Sequence, residues 1–239
     1  EDIVMYEVNL RAFSQDGNLA GVQQKLDHLA SLGVNVIWLM PIQTNGGPLN
    51  SPYCISNFYE VDEEYGTLAD LRAFVDEAHN RDMAVILDWV ANHTSWDHPW
   101  IDSVGWHTTD AQGNIIHPSG TNWTDVADLN FDNTVLQEQM IDAMRYWVLE
   151  ANVDGYRCDA ADYVPFDFWQ KAIDSLRSIP NREIIMLAEG ARTDHFDAGF
   201  DMNFDWNFYN KGKDIFVQGT PTSQWATLHQ YTYGSMAEG

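Results

Sequence analysis

The feature that most constrains the fold of this chain is a regular alternation of short apolar segments with amphipathic segments. Residues 34–40 are β-branched and apolar and are followed by Pro41, as expected for a strand that is buried on both faces. Residues 19–32 instead place leucine and valine at helical spacing, and Gly33 ends that pattern. Sustained alternation of strand and helix predicts a parallel α/β architecture, either open and doubly wound or closed as a barrel. Periodicity alone does not distinguish between these two forms.

The same alternation continues along the rest of the sequence. Strands are predicted at residues 3–8, 34–40, 83–87, 153–158, 184–188 and 200–204, and helices at residues 19–32, 68–80, 134–150, 166–178 and 224–230. Residues 92–133 are polar and aromatic and too long for a plain connection, so we expect a small excursion or a functional loop there. A single domain is the simplest interpretation of these 239 residues.

The balance of charge excludes several classes of partner. Lys and Arg total 12 against 36 Asp and Glu, and a net charge of −24 repels the phosphates of nucleic acids and anionic membrane surfaces. No window of about 18 consecutive apolar residues is present, so no membrane span is expected. The cysteines Cys54 and Cys158 are too few for a disulfide framework and are expected to be free thiols.

Three predicted strands are each followed by a carboxylate on the same face of the sheet. The carboxylates are Asp88, Asp159 and Glu189, and side-chain alternation places them on the faces of Ile86, Arg157 and Leu187, respectively. The carboxyl ends of parallel strands form the rim at which α/β folds bind ligands and react. A solvated loop carboxylate is the alternative explanation for any one of these residues, whereas three in register indicate a site.

Two of these carboxylates suit glycosyl transfer, in which one group attacks the sugar carbon and another protonates the leaving oxygen. Arg157 lies two residues before Asp159 on the same face, so we expect its cation to hold Asp159 ionised, as a nucleophile requires. Glu189 follows the apolar segment 184–188. A partly desolvated carboxyl keeps its proton to higher pH, which suits a general acid.

Five ordered motifs resemble the signature regions of the α-amylase superfamily, glycoside hydrolase family 13. They are Ser51-Pro-Tyr53 with Tyr65-Gly66-Thr67, Asp88-Trp-Val-Ala-Asn92-His93, Val126-Ala-Asp128-Leu-Asn130, Gly155-Tyr-Arg157-Cys-Asp159-Ala-Ala, and Leu187-Ala-Glu189. The resemblance covers nearly the whole chain and implies a (β/α)8 TIM-type barrel with a small loop domain after strand three. It implies strands one to three in residues 1–91, the loop domain in residues 92–133, and strands four to six in residues 134–239.

The resemblance implies an enzyme that cleaves the α-1,4-glucosidic bonds of starch or maltooligosaccharides with retention of configuration. Asp159 would form the covalent glycosyl-enzyme intermediate, Glu189 would act as general acid/base, and Arg157 would position Asp159. Two alternatives stay open. One is a non-catalytic amylase-like module that binds glycans or a protein, since fold alone does not imply function. The other is a transglycosidase or isomerase of the same superfamily.

The resemblance also implies substrate-binding and metal-binding residues. Tyr53, Asp88 and His93 would line the sugar subsite, with Tyr53 offering a flat apolar face to a sugar ring. The family often holds a calcium ion between barrel and loop domain, and the matching positions are Asn92 and Asp128, which carry the oxygen atoms that calcium prefers. A structural Asn and Asp without metal is the alternative, and no organic cofactor is implied.

The sequence departs from the family pattern at three places. Asn57-Phe58 replaces the usual Asp-Tyr pair, and Asp162 stands where many amylases carry a Lys or another group. The His-Asp pair expected on strand seven has no match after Glu189.

Six of the eight barrel strands are predicted, so the simplest expectation is a gene product that continues past residue 239 with the rest of the barrel and a β-sandwich domain. A partner that covers the open edge is the alternative. The sequence begins with Glu1 and shows no signal segment, which is compatible with a removed export signal or with a cropped sequence. The family resemblance favours a secreted or periplasmic protein.

Overall fold

Six parallel strands form one sheet in which each strand pairs with its predecessor along the chain. The computed structural model describes residues 2–47 and 51–223. Strands one to six are Met5–Val8, Val36–Leu39, Ala84–Trp89, Gly155–Cys158, Ile185–Ala188 and Met202–Asn203. A doubly wound sheet reverses its strand order at a switch point, whereas this order runs in one direction, as in a (β/α) barrel. The predicted parallel architecture is therefore confirmed in its barrel form, with six strands in the described residues.

Helices connect the strands. The α-helices are Leu10–Phe13, Leu19–Gln23, Leu26–Ser31, Leu68–His79, Thr134–Ala151, Phe166–Arg177 and Trp206–Phe216, and the 3-10 helices are Pro99–Asp102, Ala161–Tyr163 and Thr193–His195. The helix predicted at residues 19–32 is divided in two, because the Lys25 amide bonds to the Val22 carbonyl only three residues back, at 2.8 Å. The helix predicted at residues 224–230 lies outside the described residues.

Two antiparallel ribbons lie outside the barrel sheet. Gln43–Asn45 pairs with Ile55–Val61, in a stretch for which no strand was predicted, and His93–Ser95 pairs with Val126–Asp128 within the long segment 92–133. Three of these four strands have only three residues, which is too short for alternation to be visible in the sequence. The second ribbon holds the two ends of the long segment together beside strand three.

The sheet separates two apolar regions. The larger lies between the sheet and the helices, and its fully buried side chains include Trp147, Trp169 and Phe74. The smaller is on the inward face of the sheet, where Val36, Trp38 and Ile86 form a separate cluster. This apolar inner face becomes charged toward the carboxyl ends of the strands, where the candidate site lies.

The expectation of free thiols is met in the described residues. Cys54 and Cys158 are buried free thiols. No helix in the described ranges is both long and apolar enough to cross a membrane.

Candidate active site

The carboxyl ends of strands three, four and five hold three carboxylates side by side. Asp88 on strand three is the register partner of Arg157 on strand four. Backbone pairing continues past the strand ends, because the Asp159 amide bonds to strand three at 2.9 Å and the Glu189 amide bonds to strand four at 3.0 Å. These main-chain bonds fix the positions from which the predicted catalytic side chains project.

Arg157 contacts all three carboxylates at once. Its Nη1 lies 2.9 Å from Oδ1 of Asp88 and 2.8 Å from Oδ1 of Asp159, and its Nη2 lies 2.9 Å from Oε2 of Glu189. The guanidinium also lies 4.8 Å from the ring centroid of Trp38, within cation–π distance. The planar fork of arginine makes this arrangement possible, since several N–H groups point in different directions from one charge.

Asp159 and Glu189 are in hydrogen-bonding contact with each other. Oε2 of Glu189 also accepts hydrogen bonds from the Ala160 amide and from Arg157, both at 2.9 Å. Ala160 has the left-handed backbone conformation, with φ 45°, which is uncommon for a residue with a side chain. Because Oε2 is occupied by two donors, Oε1 is the Glu189 oxygen that can carry a proton.

Burial raises the pKa of all three carboxyl groups, with the Arg157 cation as the largest opposing influence. The raised pKa of Glu189 agrees with the sequence prediction for a general acid. Arg157 does lower the pKa of Asp159 as expected, but desolvation of this carboxyl outweighs the cation. The reason is that one guanidinium is shared among three acids, so the cluster with every acid ionised carries a net negative charge and favours retention of a proton.

The remaining predicted substrate-binding residues surround this cluster. The Tyr53 hydroxyl donates to Oδ2 of Asp88 at 3.1 Å, and burial raises the pKa of that hydroxyl. His93 lies with Nε2 3.2 Å from the Tyr53 carbonyl and Nδ1 3.3 Å from the Asn92 amide. Burial lowers the pKa of His93 to about 4, so this imidazole is neutral at pH 7. Asp88 is fully buried below Tyr53 and Arg157.

An open cavity of about 340 Å³ lies over the cluster. Its lining consists of Ser51, Tyr53, Cys54, His93, Trp123, Asp125, Val126, Arg157, Asp159, Ala160 and Glu189. Trp123 forms one wall, with its ring centroid 5.9 Å from that of His93 and 5.3 Å from that of Tyr163. The cavity therefore combines acids with flat apolar surfaces, which is the combination that carbohydrate binding requires.

Sequence reasoning missed three contributors to the site. Trp38 donates its indole N–H to Asp88, and Phe204 lies with its ring centroid 5.6 Å from the Arg157 guanidinium. The third is the Ala160 amide, whose contact depends on backbone geometry that no residue pattern shows. Trp38 could have been found from its inward register on strand two, opposite Ile86.

The two positions implied for calcium lie near each other. His93 and Asp128 are register partners in the second ribbon, which places Asn92 beside Asp128. The described residues contain no group of three or more His, Cys, Asp and Glu side chains able to share a metal. Burial raises the pKa of Asp128. Two side-chain donors fall short of the roughly six to eight oxygen ligands that calcium takes. Calcium binding here stays a prediction.

Comparison with known proteins places this site in a family. The α-amylase catalytic-domain family model matches residues 9–113 and 119–237. The α-amylase MalA of Haloarcula japonica is 31% identical over 222 residues, covering 87% of this chain and 33% of the relative. Trehalose synthase/amylase TreS of Mycobacterium tuberculosis is 37% identical over 199 aligned residues, covering 67% of this chain and 33% of the relative.

The fold is shared with solved structures of the same family. The crystal structure of an α-amylase from Lactobacillus plantarum superposes with a TM-score of 0.87 at 34% identity, covering 95% of this chain and 58% of the other. This chain spans about a third of the length of the curated relatives named above. The predicted resemblance is confirmed, and the chain belongs to the α-amylase catalytic-domain family of glycosidases.

Proposed function

We propose that this chain carries the active site of a retaining glycoside hydrolase that cleaves α-1,4-glucosidic bonds of starch or maltooligosaccharides. The observation that carries the proposal is the contact between Asp159 and Glu189 under one guanidinium. Retaining enzymes separate their two carboxyl groups by about 5–5.5 Å, whereas inverting enzymes need about 6.5–9.5 Å to admit a water between them. Two carboxyl groups within hydrogen-bonding reach leave no room for that water.

In the first step Asp159 attacks the anomeric carbon of the bound sugar, and the bond from that carbon to the glycosidic oxygen breaks. Glu189 donates the proton on Oε1 to the departing oxygen, while Oε2 stays bonded to Arg157 and the Ala160 amide. Arg157 supports this division of roles because its Nη1 binds the attacking residue and its Nη2 binds the acid. The product is a covalent glycosyl ester of Asp159.

In the second step a water attacks the same carbon from the side opposite its ester bond to Asp159. Glu189, now ionised, accepts the proton of the water, and the bond to Asp159 breaks. Two inversions at one carbon restore the original configuration. Arg157 stabilises the released carboxylate of Asp159, so the enzyme returns to its starting state.

The surrounding residues have binding roles in this proposal. Tyr53 forms an apolar wall that can stack on a sugar ring, and its hydroxyl stays bonded to Asp88. His93 contributes a neutral edge to the cavity. Asp88 is fully buried and binds Arg157 beside Asp159. An α-glucan is uncharged, which suits a protein with a net charge of −24.

A transglycosidase or isomerase is the second candidate, and the similarity to trehalose synthase/amylase TreS favours it. The first step is identical, because the same two carboxyl groups form the same ester. The reactions differ only in whether water or a sugar hydroxyl attacks the ester. The products therefore decide between the two candidates.

The test uses the 239-residue chain and the product of its complete reading frame, each incubated with maltooligosaccharides. NMR reads the anomer released first, and chromatography separates shortened from rearranged products. Cleavage with retention that is lost in Asp159→Asn and kept in the exposed matched control Asp167→Asn supports the hydrolase. Rearranged disaccharides support the second candidate. A folded full-length protein that binds maltooligosaccharide without changing it would overturn both in favour of a binding module.

A further inference from the structure

The turn that follows Asp159 is tied to the turn that follows Glu189. The Ala161 amide donates to the main-chain oxygen of Glu189 at 3.0 Å, next to the bond from the Ala160 amide to the Glu189 side chain. The next contact between the two turns is made by a side chain, that of Asp162. Residues 189–192 belong to no helix or strand, so their conformation depends on such contacts.

The Asp162 carboxylate accepts hydrogen bonds from two successive backbone amides of the Glu189 turn. Ala191 N lies 3.2 Å from Oδ1 and 3.0 Å from Oδ2, and Arg192 N lies 3.1 Å from Oδ1. A carboxylate binding backbone N–H groups makes charge-assisted bonds, which are stronger than neutral ones. Asp162 therefore holds the chain two and three residues after Glu189.

The Asp162 carboxylate packs closely against this turn, although the side chain is 37% exposed. A Cβ added at Gly190 would lie 2.5 Å from Oδ1 of Asp162 and 2.5 Å from Cε1 of His195. A side chain at residue 190 would therefore displace the Asp162 carboxylate or the His195 ring. His195 is fully buried, and its Nε2 lies 3.6 Å from Oδ1 of Asp162, beyond hydrogen-bonding distance. The residue that directly follows Glu189 is thus packed against the Asp162 carboxylate.

Arg192 reinforces the turn through the main chain. Its Nη1 donates to the carbonyl oxygens of Asp162 and Val164 at 3.2 and 3.0 Å, and Asp194 binds the other edge of the guanidinium at 2.9 and 3.0 Å. The Asp162 carboxylate itself accepts hydrogen bonds from backbone amides. Asp162 is also not among the residues that line the cavity over the acids.

We infer that Asp162 is a positioning residue, which fixes the turn carrying Glu189 so that this side chain points at the glycosidic oxygen. The inference rests on the proposed function and deepens it. The sequence departs from the family pattern at this position, and a contact with the substrate would need a carboxylate that faces the cavity. The contacts of Asp162 favour the orientation of Glu189 instead.

The test compares Asp162→Ala and Asp162→Asn with wild type on maltooligosaccharides. The alanine variant removes every bond to the two amides, and we expect kcat to fall roughly tenfold to a hundredfold with KM changed less than about threefold. The asparagine variant keeps one acceptor oxygen, and we expect a loss between wild type and alanine. Asp110→Ala is the matched control, because Asp110 also binds backbone amides, at 2.9 and 2.8 Å, in the segment 92–133.

A series of aryl maltosides of similar size and increasing leaving-group pKa separates the two roles. A displaced general acid affects poor leaving groups most, so the slope of log kcat/KM against leaving-group pKa becomes steeper in Asp162→Ala. A residue that only binds the acceptor sugar lowers all members alike. A displaced Glu189 is also more hydrated, which moves the alkaline limb of the pH profile to lower pH.

The outcomes distinguish this inference from the proposed function. A folded wild type that cleaves none of these substrates defeats the proposed function. A cleaving wild type whose Asp162→Ala variant keeps kcat, slope and pH profile defeats the inference alone, as does a raised KM with unchanged slope. If the alanine variant does not fold, the same readouts are taken from Asp162→Asn, for which an unchanged slope overturns the inference.

Discussion

The indole N–H of Trp38 donates a 3.0 Å hydrogen bond to Oδ2 of Asp88, which joins strands two and three inside the barrel. The Arg157 guanidinium lies against the same indole, 4.8 Å from the ring centroid of Trp38. Asp88 is fully buried, so the hydrogen bonds it accepts replace the water that a carboxylate would otherwise bind. Trp38 thus stabilises the ion cluster both as a donor and as an apolar cover.

We expect Trp38→Phe to lower the free energy of unfolding by about 2–4 kcal/mol. Leaving a buried carboxyl oxygen without this donor accounts for about 1–3 kcal/mol of this, and the smaller ring adds a cavity. The measurement is urea denaturation followed by circular dichroism at pH 7. The phenyl ring keeps an aromatic face toward Arg157 but lacks the donor.

Trp96→Phe is the matched control. Its indole N–H also donates to a single acceptor, the Thr124 carbonyl at 3.1 Å, but the residue is 38% exposed and water can replace that acceptor. We expect a loss below about 1 kcal/mol in the control. Equal losses in the two variants would contradict the special role of Trp38.

Arg157→Lys is expected to keep the charge and lose most of the activity. Arg157 reaches Asp88 and Asp159 through one nitrogen and Glu189 through another, whereas a lysine has one nitrogen. We expect kcat on maltooligosaccharides to fall roughly a hundredfold, because the two catalytic carboxyl groups are no longer held together. Arg177→Lys, which alters a surface pair with Asp201, is the control and should keep full activity. Comparable kcat values in the two variants would refute the bridging role.

The alternation of apolar and amphipathic segments predicted a parallel sheet, whereas the barrel form was implied by the family resemblance of five motifs. Residues 34–40 and 184–188 were predicted as buried strands from their apolar composition, and the rim position of Asp88, Asp159 and Glu189 follows from alternation. The strand Gln43–Asn45 was not predicted, because three polar residues show no alternation of apolar and polar side chains. Its pairing depends on tertiary contacts, which local pattern does not encode.

The sequence predicted which charged residues form the site but not which of them Arg157 binds or how their pKa values shift. Arg157 was expected to bind Asp159, but it binds three acids, because strand register places Asp88 directly opposite Arg157. Because the cation is shared, its lowering effect on the pKa of Asp159 is smaller than the raising effect of burial, and this pKa rises. The link from the Ala160 amide to Glu189 depends on one left-handed residue, and alanine gives no sequence signal for that conformation.

Buried histidines predict a loss of stability in acid. Burial lowers the pKa of His93, His98 and His107 to about 4 each. The unfolded chain binds these protons at a pKa of about 6.5, so the contribution of each histidine is complete above that pH and is lost as pH falls toward 4. Each fully shifted histidine contributes a slope of about 1.4 kcal/mol per pH unit within this window.

His107→Gln tests this dependence, because glutamine can replace the bond between Nε2 and Thr94 Oγ1 at 2.8 Å and does not titrate in this range. The measurement is the urea midpoint from pH 7 to pH 4 in both proteins. We expect the variant to lose less stability than wild type. The raised pKa of Asp88 has the opposite sign, stabilising the fold at low pH, and it cancels in the difference between the two proteins. Parallel curves would rule out a buried neutral His107.

Gly155 is the residue at which a single methyl group should do most damage to the sheet. It begins strand four with φ 148°, and a Cβ there would overlap the carbonyl of Ile185 on strand five. Gly155→Ala must therefore separate the two strands that carry Arg157 and Glu189, and we expect a destabilisation above about 4 kcal/mol. Gly33→Ala is the control for backbone strain alone, since its φ is 80° with nothing within 4 Å of the added Cβ. We expect it to cost about 1–2 kcal/mol. Urea unfolding measures both, and equal costs would contradict the close pairing of Gly155 with Ile185.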